Sequence, residues 1–281
     1  MVATPIGNLA DITLRALHVL QLADTLACED TRHSHSLLRA YGIDKPSSQW
    51  LAVHQHNEAQ AAQEVLARLQ AGQRVVYMSD AGTPGISDPG ARLAAAVAAA
   101  GLRVLPLPGA SSITTALSVA GAVAQGGTEH GFVFAGFLPT RGAERKAAVD
   151  MLRCEPRCTV LLEAPHRIAD LAQALAVLED RPLTLARELT KQFEQITTLP
   201  AREVASWLQQ DAQRCRGEFV VVLHPVATTS DSDAGLRVLD RLLQELPLKS
   251  AVRLAADITG VPRNQLYDAA LQRKNAPQHE D

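Results

Sequence analysis

The sequence predicts an α/β protein with two α/β domains and a helical appendage. Short apolar runs typical of buried strands alternate with alanine- and leucine-rich helical runs over most of the 281 residues. A glycine-rich break at residues 121–131 divides this alternation into two series, and a polar segment at residues 226–234 precedes a purely helical C-terminus. We therefore predict domains at residues 1–121 and 122–225 and an appendage at residues 226–281.

The first series predicts a mainly parallel sheet covered by helices. Its strands are expected at residues 25–28, 50–53, 75–78 and 103–107, and its helices at residues 34–40, 57–70, 89–100 and 111–119. Residues 1–5 supply only a very short first strand. Asp88 is the expected N-cap of helix 89–100, with Pro89 at its first position and Gly101 at its end.

The second series predicts a mixed sheet. Its strands are expected at residues 132–137, 159–163, 183–188 and 218–224, and its helices at residues 143–153, 167–178 and 201–211. Beyond the linker, helices at residues 236–246, 251–258 and 262–273 have the pattern of a helix-turn-helix.

Two roles stay open for the appendage, because residues 235–281 hold seven Lys/Arg against six Asp/Glu. Lys249, Arg253 and Arg263 could form one basic face that binds nucleic acid. Alternatively, the leucines of helix 236–246 pack on the body of the protein or across a dimer.

Composition excludes several classes of protein. The net charge of −3 excludes a globally basic nucleic-acid binder, so any RNA contact must be local. The four cysteines have neither Cys-x-x-Cys spacing nor a histidine pattern for zinc, so we expect reduced thiols, no metal and a cytoplasmic location. There is no apolar run of about 18 residues and no basic segment before an apolar stretch at the N-terminus, so neither a membrane span nor a secretory signal is expected.

The segment Ser79 to Gly90 (SDAGTPGISDPG) is the main candidate for a ligand loop. It follows strand 75–78 and precedes a helix, where open α/β sheets bind ligands. Its glycines permit close approach of the backbone to a ligand, and its prolines limit the movement of the loop. Because it lacks both common phosphate-binding patterns, a nucleoside triphosphate or dinucleotide is disfavoured. For this loop taken alone, a tight turn without ligand is the alternative.

Polar residues also follow other predicted strands, in segments 28–33, 107–112, 163–167 and 187–191. Any one of them could be a solvated ion-pair cluster. Their joint occurrence after strands favours a shared cleft between the two domains.

Eight segments, in order along the chain, resemble the 16S rRNA (cytidine-2′-O)-methyltransferases, a family of the tetrapyrrole methylase superfamily. They are residues 2–13, 28–32, 79–90, 106–112, 134–139, 163–168, 187–191 and 217–219, and the resemblance extends to about Arg273. The departure is at the start, where members of that family have several residues before the Thr-Pro turn. A start codon upstream of Met1 would account for this difference.

The resemblance implies a class III methyltransferase fold, a homodimer, and S-adenosylmethionine bound between the two domains. It also implies methyl transfer to the ribose 2′-OH of a cytidine in 16S rRNA of the 30S subunit. By position, the residues implied to bind the cofactor are Pro5, Asp80, Ala81, Gly82, Thr83, Ile86, Ser111, Ser112, Ala135, Gly136, Phe137, Glu163 and Ala164.

Such a methyl transfer depends on alignment and exclusion of water and needs no metal. Because a ribose hydroxyl is a very weak acid, a base and a nearby cation assist the reaction. The candidate bases are Glu29, Asp30, Glu163 and Glu188, and the candidate cations are Arg32 and Lys191; the sequence does not choose among them.

Two alternatives come from other functional classes. A tetrapyrrole carbon methyltransferase would share the fold and cofactor loops but would have no use for a helix-turn-helix. A non-enzymatic nucleic-acid regulator would leave the residues of the cleft unexplained.

Overall fold

The N-terminal part of the fold is built around a three-stranded parallel sheet, seen in a computed structural model that describes residues 1–54, 56–123, 131–226 and 232–275. Strand β1 (Thr25–Cys28) lies between β2 (Trp50–Ala52) and β3 (Val75–Met78). Five helices accompany it: α1 (Leu14–Leu22), α2 (Thr31–Ala40), α3 (Glu58–Gln70), α4 (Gly90–Ala99) and α5 (Ser112–Ala120). The parallel sheet is therefore confirmed, whereas α1 was not predicted.

Alternate residues of β1 supply two separate cores, as the strand period requires. Leu26 packs with Leu20 of α1 and Leu38 of α2. Ala27 packs on the other side with residues of α3 and α4, including Val65 and Val97.

The prediction of a strand at residues 103–107 was wrong. Within this segment only Leu107 pairs, through an isolated bridge to Val2, which also bridges to Met78. A ladder needs several consecutive partners on the neighbouring segment, and here the chain offers only Val2 at this point. The Met1 ammonium instead donates to the carbonyl oxygen of Leu105 at 3.0 Å.

The second sheet has five strands in the order β4 (Phe132–Gly136), β5 (Cys158–Glu163), β8 (Phe219–Leu223), β6 (Pro182–Arg187) and β7 (Gln195–Pro200). Only β4 and β5 are parallel, and the other pairs are antiparallel, so the mixed sheet is confirmed. Strand β7 was not predicted. Helices α6 (Gly142–Cys154), α7 (Ile168–Leu175) and α8 (Ala201–Gln209) complete this part.

The two faces of the second sheet are covered by different parts of the chain. Leu161 and Val221 face the core formed with α6, α7 and α8. Val160 and Val220 face the opposite core, in which Ile6 and Ala116 of α5 pack. Residues of the N-terminal series thus cover one face of the second sheet.

The chain divides into two compact units, Met1–Val226 and Ala227–Asp281. Both sheets lie in the first unit, and its further division at residue 121 stays a prediction. Residues 124–130 of the predicted break and 227–231 of the predicted linker lie outside the described residues.

The second unit consists of α9 (Ser232–Leu243), α10 (Leu248–Thr259) and α11 (Arg263–Asn275). Its own apolar core includes Leu239, Ala255 and Leu266. Gly260 ends α10 with a φ of 72°, a left-handed conformation that favours glycine. The leucines of α9 therefore pack on α10 and α11. Over the described parts of both units, no helix combines the length and apolar character that crossing a bilayer requires.

Candidate active site

The loop after β3 is held in place by the first residues of the chain. Gly82 and Thr4 exchange two backbone hydrogen bonds of 3.0 Å, and the Ser79 hydroxyl donates to the Gly82 carbonyl at 2.6 Å. Gly82 has a φ of 80°, and a Cβ there would lie 3.3 Å from Cγ2 of Ile6. This glycine is required both by the backbone conformation and by the close approach of the N-terminal segment.

Asp88 organises the end of the same loop. Its carboxylate accepts from the Gly90 N–H at 2.7 Å and from the Gly85 N–H at 2.8 Å, and it also accepts from the Tyr77 hydroxyl at 2.9 Å. Burial, followed by the charge of Asp88, raises the pKa of Tyr77, so this phenol remains a donor. Asp88 therefore accepts the first N–H of α4, but the predicted cap was wrong by one residue: the helix begins at Gly90, and its N-cap is Pro89.

Two adjoining cavities in the first unit lie where the loops of the first sheet meet the second sheet. The first has a volume of about 310 Å³, and we call it the acidic cavity because four carboxylates line it. They are Glu29, Asp80, Asp88 and Glu218. The second, of about 340 Å³, is mostly apolar and is called the apolar cavity. Both cavities are lined by Ser112, Phe137, Leu162 and Glu218, so they form one continuous cleft.

Glu29 lies in the acidic cavity directly after β1. Burial raises its pKa, and the nearby charges of Asp80 and Asp88 raise it further, while His54 acts in the opposite direction. Among the described residues its carboxylate has no hydrogen-bond donor. Glu29 is thus a carboxylate whose proton affinity is increased at the surface of a cleft.

Asp30 and Arg32 are engaged with each other. The Asp30 carboxylate accepts from the Arg32 backbone N–H at 2.8 Å and forms an ion pair with its guanidinium at 3.1 Å. It also caps α2, which therefore begins at Thr31, three residues before the predicted start. The Arg32 side chain is 91% exposed, and neither residue lines the cleft.

Glu163 ends β5 and lines the apolar cavity with a fully buried side chain. Oε1 accepts from the Ala164 N–H at 2.9 Å and lies 3.0 Å from Nε of Arg167. Arg167 also donates to the carbonyl oxygen of Leu138, in the loop after β4. Glu163 and Arg167 therefore connect the end of β5 to this loop.

Glu188, Lys191 and Glu218 form a compact ion-pair cluster beside the cleft. The Lys191 ammonium lies 2.9 Å from Oε1 of Glu188 and 3.0 Å from Oε2 of Glu218. Burial alone would raise the pKa of Glu188, but Lys191 and the Glu218 N–H outweigh it and lower that pKa. For Lys191 the directions are reversed: burial alone would lower its pKa, but its two carboxylate partners raise it. Of the three, Glu218 lines the cleft.

The structure brings together most of the residues that the sequence proposes as cofactor ligands. Those that line the cleft are Asp80, Ala81, Gly82, Thr83, Ile86, Ser111, Ser112, Phe137, Glu163 and Ala164. Pro5, Ala135 and Gly136 do not line it, but they directly precede Ile6 and Phe137, which do. Of the catalytic candidates, Glu29 and Glu163 line the cleft.

Several cleft residues were missed in the sequence, notably Ile6, Leu162, Leu189 and Glu218. Glu218 lies in the segment 217–219, which carries part of the resemblance, and this was the signal available for it. Ile6 and Leu189 also lie in such segments, 2–13 and 187–191, but they and Leu162 are apolar positions that a hydrophobic pattern assigns to the core. Nowhere in the described ranges do three or more His, Cys, Asp or Glu side chains meet as metal ligands would.

Sequence comparisons connect both units to known families. Residues 1–205 match the family model for Tetrapyrrole (Corrin/Porphyrin) Methylases, and residues 229–274 match the RsmI C-terminal HTH domain. The chain is 46% identical to a ribosomal RNA small subunit methyltransferase I of Pseudomonas aeruginosa, over 98% of this chain and 96% of that protein. It is 45% identical to the enzyme of the same name from Escherichia coli O157:H7, over 98% of this chain and 94% of that protein.

Solved structures with the same fold are more distant in sequence. A cobalt precorrin-4 methyltransferase aligns with a TM-score of 0.56 at 17% identity, over 79% of this chain and 92% of its own. A uroporphyrin-III C-methyltransferase of Thermus thermophilus, complexed with S-adenyl homocysteine, aligns with a TM-score of 0.52 at 19% identity, over 79% and 94% of the two chains. These similarities show a common fold for the two-sheet part of the chain.

Proposed function

The chain belongs to the tetrapyrrole methylase family, and on that premise we propose that it transfers a methyl group from S-adenosylmethionine to the ribose 2′-OH of a cytidine in 16S rRNA. The observation that carries this proposal is the continuous cleft beneath the Gly82 loop. Relatives at 46% and 45% identity, named for methylation of small-subunit ribosomal RNA, support the RNA substrate. The match of residues 229–274 to the C-terminal domain model supports it as well.

The cleft suits the cofactor in shape and charge. The apolar cavity, with Ile6, Phe137 and Leu162, offers contact surface for a purine base. The carboxylates of the acidic cavity favour a cationic group, such as a sulfonium or an ammonium. When bound, S-adenosylmethionine supplies a methyl group on a positively charged sulfur, which a nucleophile can attack in line.

Ser111 and Ser112 suit the carboxylate end of the same molecule. Ser111 precedes α5, and Ser112 is the first residue of that helix. The first N–H groups of a helix have no partner within the helix, and they favour a negative charge. The Ser111 side chain does not cap these groups. We assign this turn, which lies directly beside the Gly82 loop, to binding a carboxylate.

Glu29 is our choice for the base, because each of the other candidate carboxylates pairs with a cation. Asp30 caps α2 and pairs with Arg32, and Glu188 is held by Lys191. Oε1 of Glu163 is held by Ala164 and Arg167; its Oε2 has no partner among the described residues, but Arg167 already compensates the charge of this carboxylate. Glu29 would accept the proton of the ribose hydroxyl as the oxygen–methyl bond forms and the sulfur–methyl bond breaks. Its raised pKa makes it a better proton acceptor than an ordinary carboxylate.

Lys191 fits a positioning role better than a catalytic one. Two carboxylates already compensate its charge, and one of them, Glu218, lines both cavities. We propose that Lys191 orients Glu218 at the cleft. Arg32, largely exposed and paired with Asp30, stays a candidate only for contact with the RNA.

The expected partners complete the proposal. We propose that the protein acts in the cytoplasm on 16S rRNA within the 30S subunit, and that it forms a homodimer. The second unit would place the RNA, with Lys249, Arg253 and Arg263 as its candidate cations. Arg263 already forms an ion pair with Asp257 at 2.9 Å, so its charge is partly compensated.

The test is a methyl-transfer assay with labelled S-adenosylmethionine. Three substrates are compared: 30S particles from a strain lacking this methylation, protein-free 16S rRNA, and uroporphyrinogen III. Label recovered as 2′-O-methylcytidine supports the proposal. Label in the tetrapyrrole alone would favour the carbon methyltransferase, and no label in any substrate would contradict both.

A further inference from the structure

A groove between α6 and α7 lies apart from the cleft and has a surplus of positive charge. It encloses about 350 Å³, with Arg145, Lys146, Asp150 and Arg153 on one side and Ala174 and Val177 on the other. We call it the basic groove. Three cations face a single carboxylate there, whereas the chain as a whole carries a net charge of −3. Such local enrichment attracts anions.

The side chain of Arg145 gives the basic groove a specific donor group. The residue is only 7% exposed, and its Nη1 donates to the carbonyl oxygen of Thr140. Nε and Nη2 are buried and have no hydrogen-bond partner in the part of the chain that the structure describes. Buried charged donors without acceptors are costly, so a small outward movement of the Arg145 side chain that gives these N–H groups an anionic acceptor in the basic groove would be favoured.

Helix α6 arranges these residues for binding. Arg145, Val149 and Arg153 recur every four residues and therefore lie on one face of the helix, and Lys146 and Asp150 lie beside them. The Lys146 and Arg153 side chains are exposed, whereas the Arg145 guanidinium is held in place. A planar guanidinium with adjacent free N–H groups matches the oxygens of a phosphate.

The basic groove is close to the cleft along the chain. Phe137 lines the cleft and Gly142 begins α6, so at most about 17 Å of extended chain connects them. Arg145 and Arg167 hold the intervening loop through the carbonyls of Thr140 and Leu138, respectively. The start of α6 therefore lies near the cleft. Because α6 and α7 pack on the face of the second sheet opposite Ile6 and Val220, a nucleic-acid strand with one nucleotide in the cleft would reach the basic groove by passing around this loop.

We propose that the basic groove binds a backbone phosphodiester of the RNA substrate and so sets the position of the strand relative to the cleft. This inference rests on the proposed RNA methylation. Phosphate contacts position a protein on nucleic acid without reading its sequence. The basic groove should therefore contribute to affinity and to salt dependence, while leaving the methyl-transfer step unchanged.

The test compares Lys146→Gln/Arg153→Gln with the matched control Arg39→Gln/Arg103→Gln, which removes two exposed charges elsewhere. With 30S particles as substrate, we expect the groove variant to raise KM about five- to tenfold. The slope of log(kcat/KM) against log[salt] should become shallower by about one to two. We expect kcat and calorimetric affinity for S-adenosylhomocysteine to stay within about twofold. Equal KM and equal salt slope in the groove variant and the control would overturn the proposal.

Further measurements separate the possible sources of failure. Arg145→Lys retains the charge but loses the planar group, and it should also raise KM if a phosphate is held by the guanidinium. Inorganic phosphate, at ionic strength matched with chloride, should inhibit the wild type more than the groove variant. Inhibition by phosphate with an unchanged KM for 30S particles would reduce the basic groove to a free-anion site and contradict the RNA assignment.

Direct binding distinguishes failure of the groove from failure of the proposed function. The probe is a fluorescein-labelled single-stranded RNA, and its binding is measured by anisotropy. If the wild type methylates no RNA, the proposed function fails, but weaker binding of this probe by the groove variant than by the control still supports the basic groove. If methylation occurs and the probe binds both variants equally, only the groove proposal fails.

Discussion

The side chain of Glu188 occupies the space that a Cβ on Gly217 would need, since that Cβ would lie 2.4 Å from Cγ of Glu188. Gly217 also has a φ of 88°. Any side chain at this position must therefore displace Glu188, which holds Lys191 and the Glu218 N–H. The Gly-Glu pair before β8 thus positions the ion-pair cluster beside the cleft.

We predict that Gly217→Ala lowers the free energy of unfolding by about 3 kcal/mol, combining backbone strain with loss of these contacts. Denaturant unfolding measures the loss. Gly42→Ala is the matched control, because Gly42 has a φ of 73° but no atom within 4 Å of an added Cβ. It should lose only about 1 kcal/mol. Equal losses in the two variants would show that Glu188 moves without cost.

Replacement of Gly82 by valine should abolish cofactor binding, because the side chain would alter a loop that lines the acidic cavity. Isothermal titration calorimetry with S-adenosylhomocysteine checks this, and circular dichroism confirms that the variant is folded. Gly85→Val serves as control: its φ of 89° imposes similar strain, and Gly85 does not line the cleft. Undiminished affinity in a folded Gly82→Val protein would remove this loop from the proposed cofactor site.

Much of this arrangement follows from local sequence patterns. Apolar runs followed by polar or glycine-rich segments predicted β1, β3, β5 and β6 together with the loops at their ends. Two of those loops hold the proposed cofactor ligands Asp80, Ala81, Gly82, Thr83, Ile86 and Ala164. Strand β7 was missed because Gln195–Pro200 is an edge strand with alternating partial exposure and a terminal proline. Such a segment has a weak strand signal.

Pairing between distant segments could not be predicted in this way. Residues 103–107 have a strand-like composition, but whether they join a sheet depends on the neighbouring segment, which contributes only Val2. The position of Glu218 at the cleft likewise depends on β8 lying between β5 and β6. The choice of Glu29 over Asp30 also required the structure, because only there does Asp30 appear as a helix cap.

Glu29→Gln should lower kcat/KM for RNA methylation by about 10²- to 10⁴-fold, the usual contribution of a general base. Because glutamine keeps the size of the side chain, affinity for S-adenosylhomocysteine should change little. The matched comparison is Asp30→Asn, which removes a carboxylate that caps α2 and does not line the cleft. A Glu29→Gln enzyme with nearly normal kcat/KM would rule out Glu29 as the base.

The pH dependence should report the raised pKa of Glu29. A base must be ionised, so kcat/KM should fall as pH decreases through this pKa, at a higher pH than for an ordinary carboxyl group. Asp80→Asn removes a neighbouring negative charge that raises this pKa and should move the acidic limb to lower pH. An unchanged limb in that variant would assign the titration to another group.

Assembled 30S particles should be methylated faster than protein-free 16S rRNA. Apart from the basic groove, the net charge of −3 and the few cations of the second unit leave little capacity for sequence-independent phosphate binding, so the folded shape of the particle must contribute to recognition. Initial rates at equal concentrations of the two substrates provide the comparison. Equal rates would argue against recognition of the assembled particle.

Removal of the second unit after Val226 should separate cofactor binding from RNA recognition. Its helices have their own core around Leu239, so the cut falls between compact units and should leave the cleft intact. We expect affinity for S-adenosylhomocysteine to change less than twofold, while kcat/KM for 30S particles falls at least tenfold. In the full chain, simultaneous replacement of Lys249, Arg253 and Arg263 by alanine should reproduce part of this loss. The same variant should make kcat/KM for 30S particles less dependent on salt concentration. Loss of cofactor binding and aggregation together would instead show that the second unit stabilises the first. Full RNA methylation by a soluble truncated protein would contradict both roles.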